Sequence, residues 1–148
     1  MSADRVTYLD SSAIVKLVVR EPESAGLSRY LRRRHVASSA LARTEVARAT
    51  LALGTAVQQR VQAVLASIDL VRVNDRILAD AGSLLPFELR SLYAIHLATA
   101  ALFSSTLAVV VTYDARMALA AKALRMKVVT PPLEPSTSRR AGRRRGGL

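Results

Sequence analysis

The chain has 148 residues, 51% of them hydrophobic, and a formal net charge of +11 from 22 basic against 11 acidic side chains. The length suits one domain, the apolar content excludes wholesale disorder, and no apolar run approaches the ~20 residues that span a membrane. Absence of cysteine excludes a disulfide frame, a thiol nucleophile and a thiolate zinc site, and fits a cytoplasmic protein.

The opening MSADRVTYLD carries an acid and runs straight into a strand pattern, unlike a signal peptide. RVTYL (5–9) is a β-branched and aromatic strand ending at Asp10. Ser11 or Ser12 is placed to cap a short helix over 13–18. Pro22 permits a new helix start, with Glu21 and Glu23 at its positive dipole end and Arg29, Arg32, Arg33 and Arg34 toward its negative end. HVASS (35–39) is a second strand. ALARTEVARATLAL (40–53) is a helix with Leu41, Val46, Ala49 and Leu53 as its apolar positions, broken by Gly54 and Thr55. A further helix, AVQQRVQAVLASI, leads to a third strand, DLVRV, and then to DRILADAGSLL, a helix with Asp75 near its start. Pro86 ends that segment, and LRSLYAIHLATAALF (89–103) is the next helix. TLAVVVTY (106–113) is a continuous apolar strand of the kind buried on both faces of a parallel sheet. DARMALAAKAL and KVVT supply the last helix and strand.

Alternating strands and helices predict an α/β domain over residues 1–131, with a parallel sheet and right-handed crossovers. Residues 132–148, rich in Arg, Gly, Pro and Ser, predict a disordered basic tail. The charge remains basic when the tail is set aside, which favours phosphate backbones or acidic partners; an arginine-rich composition with a solvated surface is the bland alternative. Four tyrosines and two phenylalanines, with no tryptophan, argue against a base-stacking platform.

Asp10 and Asp114 each directly follow a strand. In an open parallel sheet the carboxyl ends of strands line one edge, where ligands bind near the switch in strand order. Glu45, one turn into the helix after the second strand, is placed to overhang that edge. Each acid also has a simpler reading: the aspartates as helix caps, and Glu45, between Arg43 and Arg48, as half of a weak surface ion pair. Carboxylates ~4 Å apart repel by about 4 kcal/mol at an effective dielectric near 20. A true cluster therefore needs a cation, and an oxygen-only ligand set points to Mg²⁺ or Mn²⁺.

Four blocks, TYLDSSAIVKLVVREPES, ASSALARTEVARA, LRSLYAIHLATA and VVVTYDARMALAAKALRMKVV, resemble in order and spacing the PIN-domain ribonucleases, in particular the VapC-type toxins of toxin–antitoxin pairs. The resemblance covers about residues 5–131. It implies a PIN-like three-layer sandwich, a five-stranded parallel sheet flanked by helices, and an Mg²⁺- or Mn²⁺-dependent endoribonuclease. It also implies a cognate VapB-type antitoxin, an RNA substrate and a homodimer. Asp10, Glu45 and Asp114 match the family's catalytic, metal-binding acids, and Ser11 and Thr112 its site-lining hydroxyls. Arg43, Arg48 and Arg116 are the candidates for binding RNA phosphates.

Tyr93 stands where the family has a third acid. A neutral phenol with a pKa near 10 is a poor Mg²⁺ ligand at pH 7, so the resemblance implies an inactive or attenuated enzyme. Three origins stand for Tyr93: deliberate change or selection during production, a natural inactive variant, or core packing in an unrelated protein. His96 reads as a hydrogen-bonded core histidine ahead of a catalytic base, and Glu88 as a remote stand-in for the missing acid. Two rival functions remain: a non-catalytic RNA- or protein-binding module on the same fold, and a domain with a nucleophilic Asp10. The second lacks a partner aspartate, since Ser12 occupies that place.

Overall fold

A computed structural model of the chain describes residues 5–132. Residues 1–4 and, from residue 133, the predicted basic tail lie outside the described residues. Five strands, β1 (Val6–Leu9), β2 (His35–Ser39), β3 (Asp69–Val71), β4 (Leu107–Val111) and β5 (Val128–Val129), form one parallel sheet in the order β3-β2-β1-β4-β5. The chain steps outward from β1 through β2 to β3, then crosses back to pair β4 on the other side of β1. The switch in strand order therefore falls between β1 and β4.

All four residues of β1 are buried, as its two-sided apolar composition requires of a central strand. Alternation along β4 sorts its side chains between two cores. Val109 and Val111 join Leu9, Ile14, Val46 and Leu65 on the face covered by α1 (Ser11–Val18), α3 (Ala42–Thr50) and α4 (Thr55–Ala66). Val110 joins Tyr8, Leu97, Met117 and Ala121 on the face covered by α6 (Ser91–Ala101) and α7 (Ala115–Ala123). Each fully buried aliphatic side chain contributes about 1.5–3 kcal/mol. The remaining helices are α2 (Ser24–Leu31) and α5 (Asp75–Gly82). Among the described residues no helix is long and apolar enough to cross a membrane.

Two local expectations are corrected. In α3 the buried face is Ala42, Val46 and Thr50, while Ala49 and Leu53 are exposed. For Leu53 the cause is a change of pitch: the chain tightens into a 3₁₀ turn at Leu51–Leu53, which swings it out of the stripe. Glu21 and Glu23 stand at the start of α2 as expected, Glu23 as its N-cap, and both carboxylates also pair with Lys16 of α1. The arginines at 32–34 fall beyond the end of α2, with Arg33 in the left-handed region at φ 60°.

Candidate active site

Strands β1 and β4 end side by side at the switch point; Asp10 follows β1 at once, and Asp114 follows β4 after Thr112 and Tyr113. Asp10 caps α1, its Oδ1 accepting from the Ala13 amide at 3.0 Å. Asp114 caps α7, its Oδ1 accepting from the amides of Arg116 at 2.8 Å and Met117 at 3.3 Å. Capping and site membership are thus not alternatives, because a helix that starts at a strand's carboxyl end holds its cap at the sheet's edge. Thr112 links the two acids: its hydroxyl donates to Asp10 Oδ2 at 2.5 Å and accepts from the Asp114 amide at 3.0 Å.

Glu45 arrives from the opposite layer, on the first turn of α3. Its Oε1 accepts from the Ser11 hydroxyl at 2.7 Å and lies 2.7 Å from His96 Nε2. On the far side of the ring, His96 Nδ1 lies 2.7 Å from the Tyr8 hydroxyl. A carboxylate can only accept, so Nε2 carries the proton toward Glu45, and in the neutral ring Nδ1 accepts from Tyr8. His96 is the buried, hydrogen-bonded histidine expected, but it serves the site's glutamate.

Asp10, Ser11, Ser12, Glu45, Tyr93, His96 and Asp114 line one cavity of about 320 Å³. Burial pushes the Asp10 carboxyl above its ordinary range, against the pull of hydrogen bonds from Ser12, Thr112 and the Ala13 amide. Burial also opposes ionisation of Glu45, but the bonds from His96 and Ser11 outweigh it and hold that carboxyl low. Asp114 is likewise held low: its partial burial is outweighed by the Tyr93 hydroxyl, the two amides and the Arg116 charge. Tyr93 donates to Asp114 Oδ2 at 2.6 Å, and that bond, with some burial, raises its own pKa and keeps it protonated.

Residues 7–123 match the PIN domain family. The chain is also 58% identical, over 125 residues, to the ribonuclease VapC46 of Mycobacterium tuberculosis (strain ATCC 25618 / H37Rv), a match covering 84% of this chain and 96% of that protein. The chain is a PIN domain of the VapC type. Two further relatives come from the same species. Ribonuclease VapC35 is 40% identical over 129 residues, covering 84% of this chain and 96% of that protein. Ribonuclease VapC47 is 35% identical over 116 residues, covering 74% and 85% respectively.

In this PIN domain the three acids share a cavity, yet among the described residues no group of three or more His, Asp or Glu side chains stands close enough to form a ligand set by itself. The two findings agree for a hydrated ion, since Mg²⁺ keeps several waters and binds proteins through one or two carboxylates. The donors are all oxygen, and buried Asp10 is bonded to neutral donors, so the residues fit such an ion on Asp10 and Asp114. The fit is weakened at Asp114 Oδ2, which the Tyr93 hydroxyl already occupies.

The other residues of the PIN domain sort by position. Tyr93 is not plain core packing, because its ring borders the second core while its hydroxyl sits in the acid cavity. Arg116 is exposed beside Tyr93 and Asp114. Arg43 and Arg48 are exposed on α3 and do not line the cavity; Arg90, which received no role from the sequence, does. It sits at the N-cap of α6, a place with no motif to mark it. Glu88 lines a neighbouring cavity and so does not replace the missing acid. Ser12, read only as the absence of an aspartate, donates to Asp10 Oδ1 at 2.6 Å and accepts from the Tyr113 amide at 3.0 Å, tying the two strand ends together.

Proposed function

We propose that this PIN domain is an Mg²⁺- or Mn²⁺-dependent endoribonuclease whose catalytic residues are Asp10, Glu45 and Asp114 and whose activity is attenuated by Tyr93. The observation that carries the reading is the gathering of acids from three separate elements into one cavity at the switch point of the sheet. Asp10 and Asp114 would hold the ion, which when bound stabilises charge developing on the phosphodiester and makes water a better nucleophile. Glu45 is the proton acceptor. With Oε1 taken by Ser11 and His96, the other oxygen is left for the attacking water. Water adds at phosphorus as a P–O bond of the backbone breaks; Glu45 takes the proton released by water, and the departing ribose oxygen takes up a proton from solvent. Arg90 and Arg116 flank the cavity as phosphate contacts; Ser11 fixes Glu45, and Thr112 fixes Asp10 and Asp114.

Tyr93 acts against this chemistry in two ways: it lacks the negative charge of the acid it replaces and it occupies an oxygen of Asp114. Loss of even an outer partner of a metal ligand typically costs ten- to a hundredfold in affinity or activity. Kinship to ribonucleases of the VapC series supports the wider setting: a growth-inhibiting toxin of the cytoplasm that cleaves cellular RNA and is neutralised by a VapB-type antitoxin. It also supports a homodimer, for which the exposed Leu51 and Leu53 at the end of α3 offer an apolar edge.

The test is RNA cleavage with Mn²⁺ by the unaltered chain and by Tyr93→Asp. At least a tenfold gain, abolished by EDTA, is the expected result. Cleavage that EDTA leaves unchanged overturns the metal mechanism. RNA binding with no gain of cleavage in Tyr93→Asp supports the second reading, a non-catalytic binding module, which the Tyr93 hydroxyl resting on Asp114 favours.

A further inference from the structure

At the opposite, amino-terminal edge of the sheet lies a second cavity, of about 460 Å³. Arg5 precedes β1, Ser104 opens the 3₁₀ turn (Ser104–Thr106) that leads into β4, and Arg125 and Lys127 join α7 to β5; all four line it. Its lining contains three cationic side chains and no acid. Among the described residues none of the three cations is in an ion pair.

The backbone adds an independent observation. Arg125 follows the C-cap of α7 at φ 62°, and Ser104 sits at φ 48°. Left-handed positions just past a helix end favour glycine, because any Cβ crowds the following carbonyl. Only three non-glycine residues of the described chain adopt a positive φ, and two of them line this cavity. At both positions the chain carries a side chain able to donate hydrogen bonds where glycine would be the less strained residue. Guanidinium groups are weakly hydrated and match phosphate oxygens in a two-pronged geometry.

From these juxtapositions we infer that Arg5, Ser104, Arg125 and Lys127 form a phosphate-binding exosite for the backbone of a folded RNA, remote from the cutting site. The inference rests on the RNA-cleaving reading and extends it. β4 has five residues, so at about 3.3 Å each the two edges are roughly 16 Å apart. One nucleotide cannot touch both. A base-paired stem next to the cleaved loop can, its phosphates being the part of an A-form helix that proteins read by shape. The exosite thus selects a loop that carries a stem over an unstructured strand.

The test is binding of a labelled RNA hairpin, and of a single strand with the loop sequence alone, to the full chain in EDTA across a KCl series. Arg125→Gly removes the charge and the backbone strain together, so its melting temperature stays level or rises. It is expected to weaken hairpin binding about fivefold and to lower the slope of log K against log salt by about 0.7–0.9, while single-strand binding is unchanged. Arg5→Gln with Lys127→Gln removes two charges independently and is expected to lower the slope by about 1.4–1.8, again with single-strand binding unchanged. Unchanged hairpin affinity and slope in both variants overturns the exosite, as does an equal loss for hairpin and single strand. Displacement of the hairpin by inorganic phosphate at low millimolar concentration also overturns it, by assigning the cavity to the free ion. Binding is read on the chain that carries Tyr93 and without reference to cleavage, so these results are independent of whether Tyr93→Asp restores activity.

Discussion

The Tyr93 hydroxyl places a neutral donor on the Asp114 oxygen beside which an acid at position 93 would set a second negative charge. Two carboxylates ~4 Å apart would repel by about 4 kcal/mol at an effective dielectric near 20, whereas a hydrogen bond to a charged acceptor contributes about 1.5–3 kcal/mol when shielded and less near water. A tyrosine at position 93 is therefore the less repulsive neighbour for Asp114 in the ion-free fold. Tyr93→Phe is expected to lower stability by about 1 kcal/mol at pH 7. The sign of its pH dependence follows from Asp114, whose carboxyl is held below its ordinary value in the folded chain. Such a group contributes stability that is full above the unfolded pKa of about 3.9 and is lost as pH falls through the lower folded value. Removing the Tyr93 donor shrinks that contribution, so the deficit of Tyr93→Phe should be largest at neutral pH and fade below about pH 4. Thermal melts of both proteins at pH 7 and pH 3 check it. A constant deficit across that range would mean the hydroxyl does not act through the Asp114 charge.

Helix ends decide where side chains of this chain can go. Asp10, Asn74 and Asp114 cap α1, α5 and α7 with side-chain acceptors, and two of these caps face the acid cavity. Gly54 and Gly82 separate backbone conformation from space. A Cβ at either would meet nothing within 4 Å, but Gly54 turns from the 3₁₀ segment into α4 at φ 95°, ψ −179°, while Gly82 is the last residue of α5 and lies outside the left-handed region. Gly54→Ala should therefore cost about 1–3 kcal/mol through backbone strain alone. Gly82→Ala should stabilise by about 0.5–1 kcal/mol through helix propensity and reduced freedom of the unfolded chain. Urea denaturation of both variants tests the pair, and equal effects would show that α4 tolerates another entry geometry.

On the scale of the whole molecule, one topological fact organises the rest: the chain starts in the middle of its sheet and leaves it in both directions. That places the acids at one edge, between β1 and β4, and the basic cavity at the other. The net charge of +11 carried by the whole chain attracts polyanions over about a Debye length, ~8 Å at physiological salt. RNA that binds only the folded chain should raise its stability by about 2.7 kcal/mol at one hundred times Kd. The rise in melting temperature should vanish as KCl is increased. A rise that survives high salt would assign the binding to apolar contacts instead.

Much of the fold is legible along the chain because it rests on short-range patterns. The unbroken apolar run of β4, the β-branched β1 and the breaks at Gly54 and Pro86 each act within a few residues. Where the pattern misled, a neighbour outside the reading window was responsible. Leu53 left the α3 stripe when the helix tightened, and Arg32, Arg33 and Arg34 fell beyond the last turn of α2. The site divides the same way. Asp10 and Asp114 stand out in sequence because each follows a strand, but Ser12 and Arg90 carry no motif and gain their roles only from what the fold brings beside them.

By itself, then, the sequence determined the order of strands and helices and the basic charge, since both are properties of residue type and local spacing; the reading of Tyr93 as a replaced acid came from the resemblance to the PIN family. Only the tertiary structure decided that His96 would join Tyr8, 88 residues away, to Glu45, 51 residues away, and that the Tyr93 hydroxyl would rest on Asp114. Contacts at such separations depend on how each helix is set against the sheet. That setting is fixed by the packing of both cores at once and by no stretch of sequence alone.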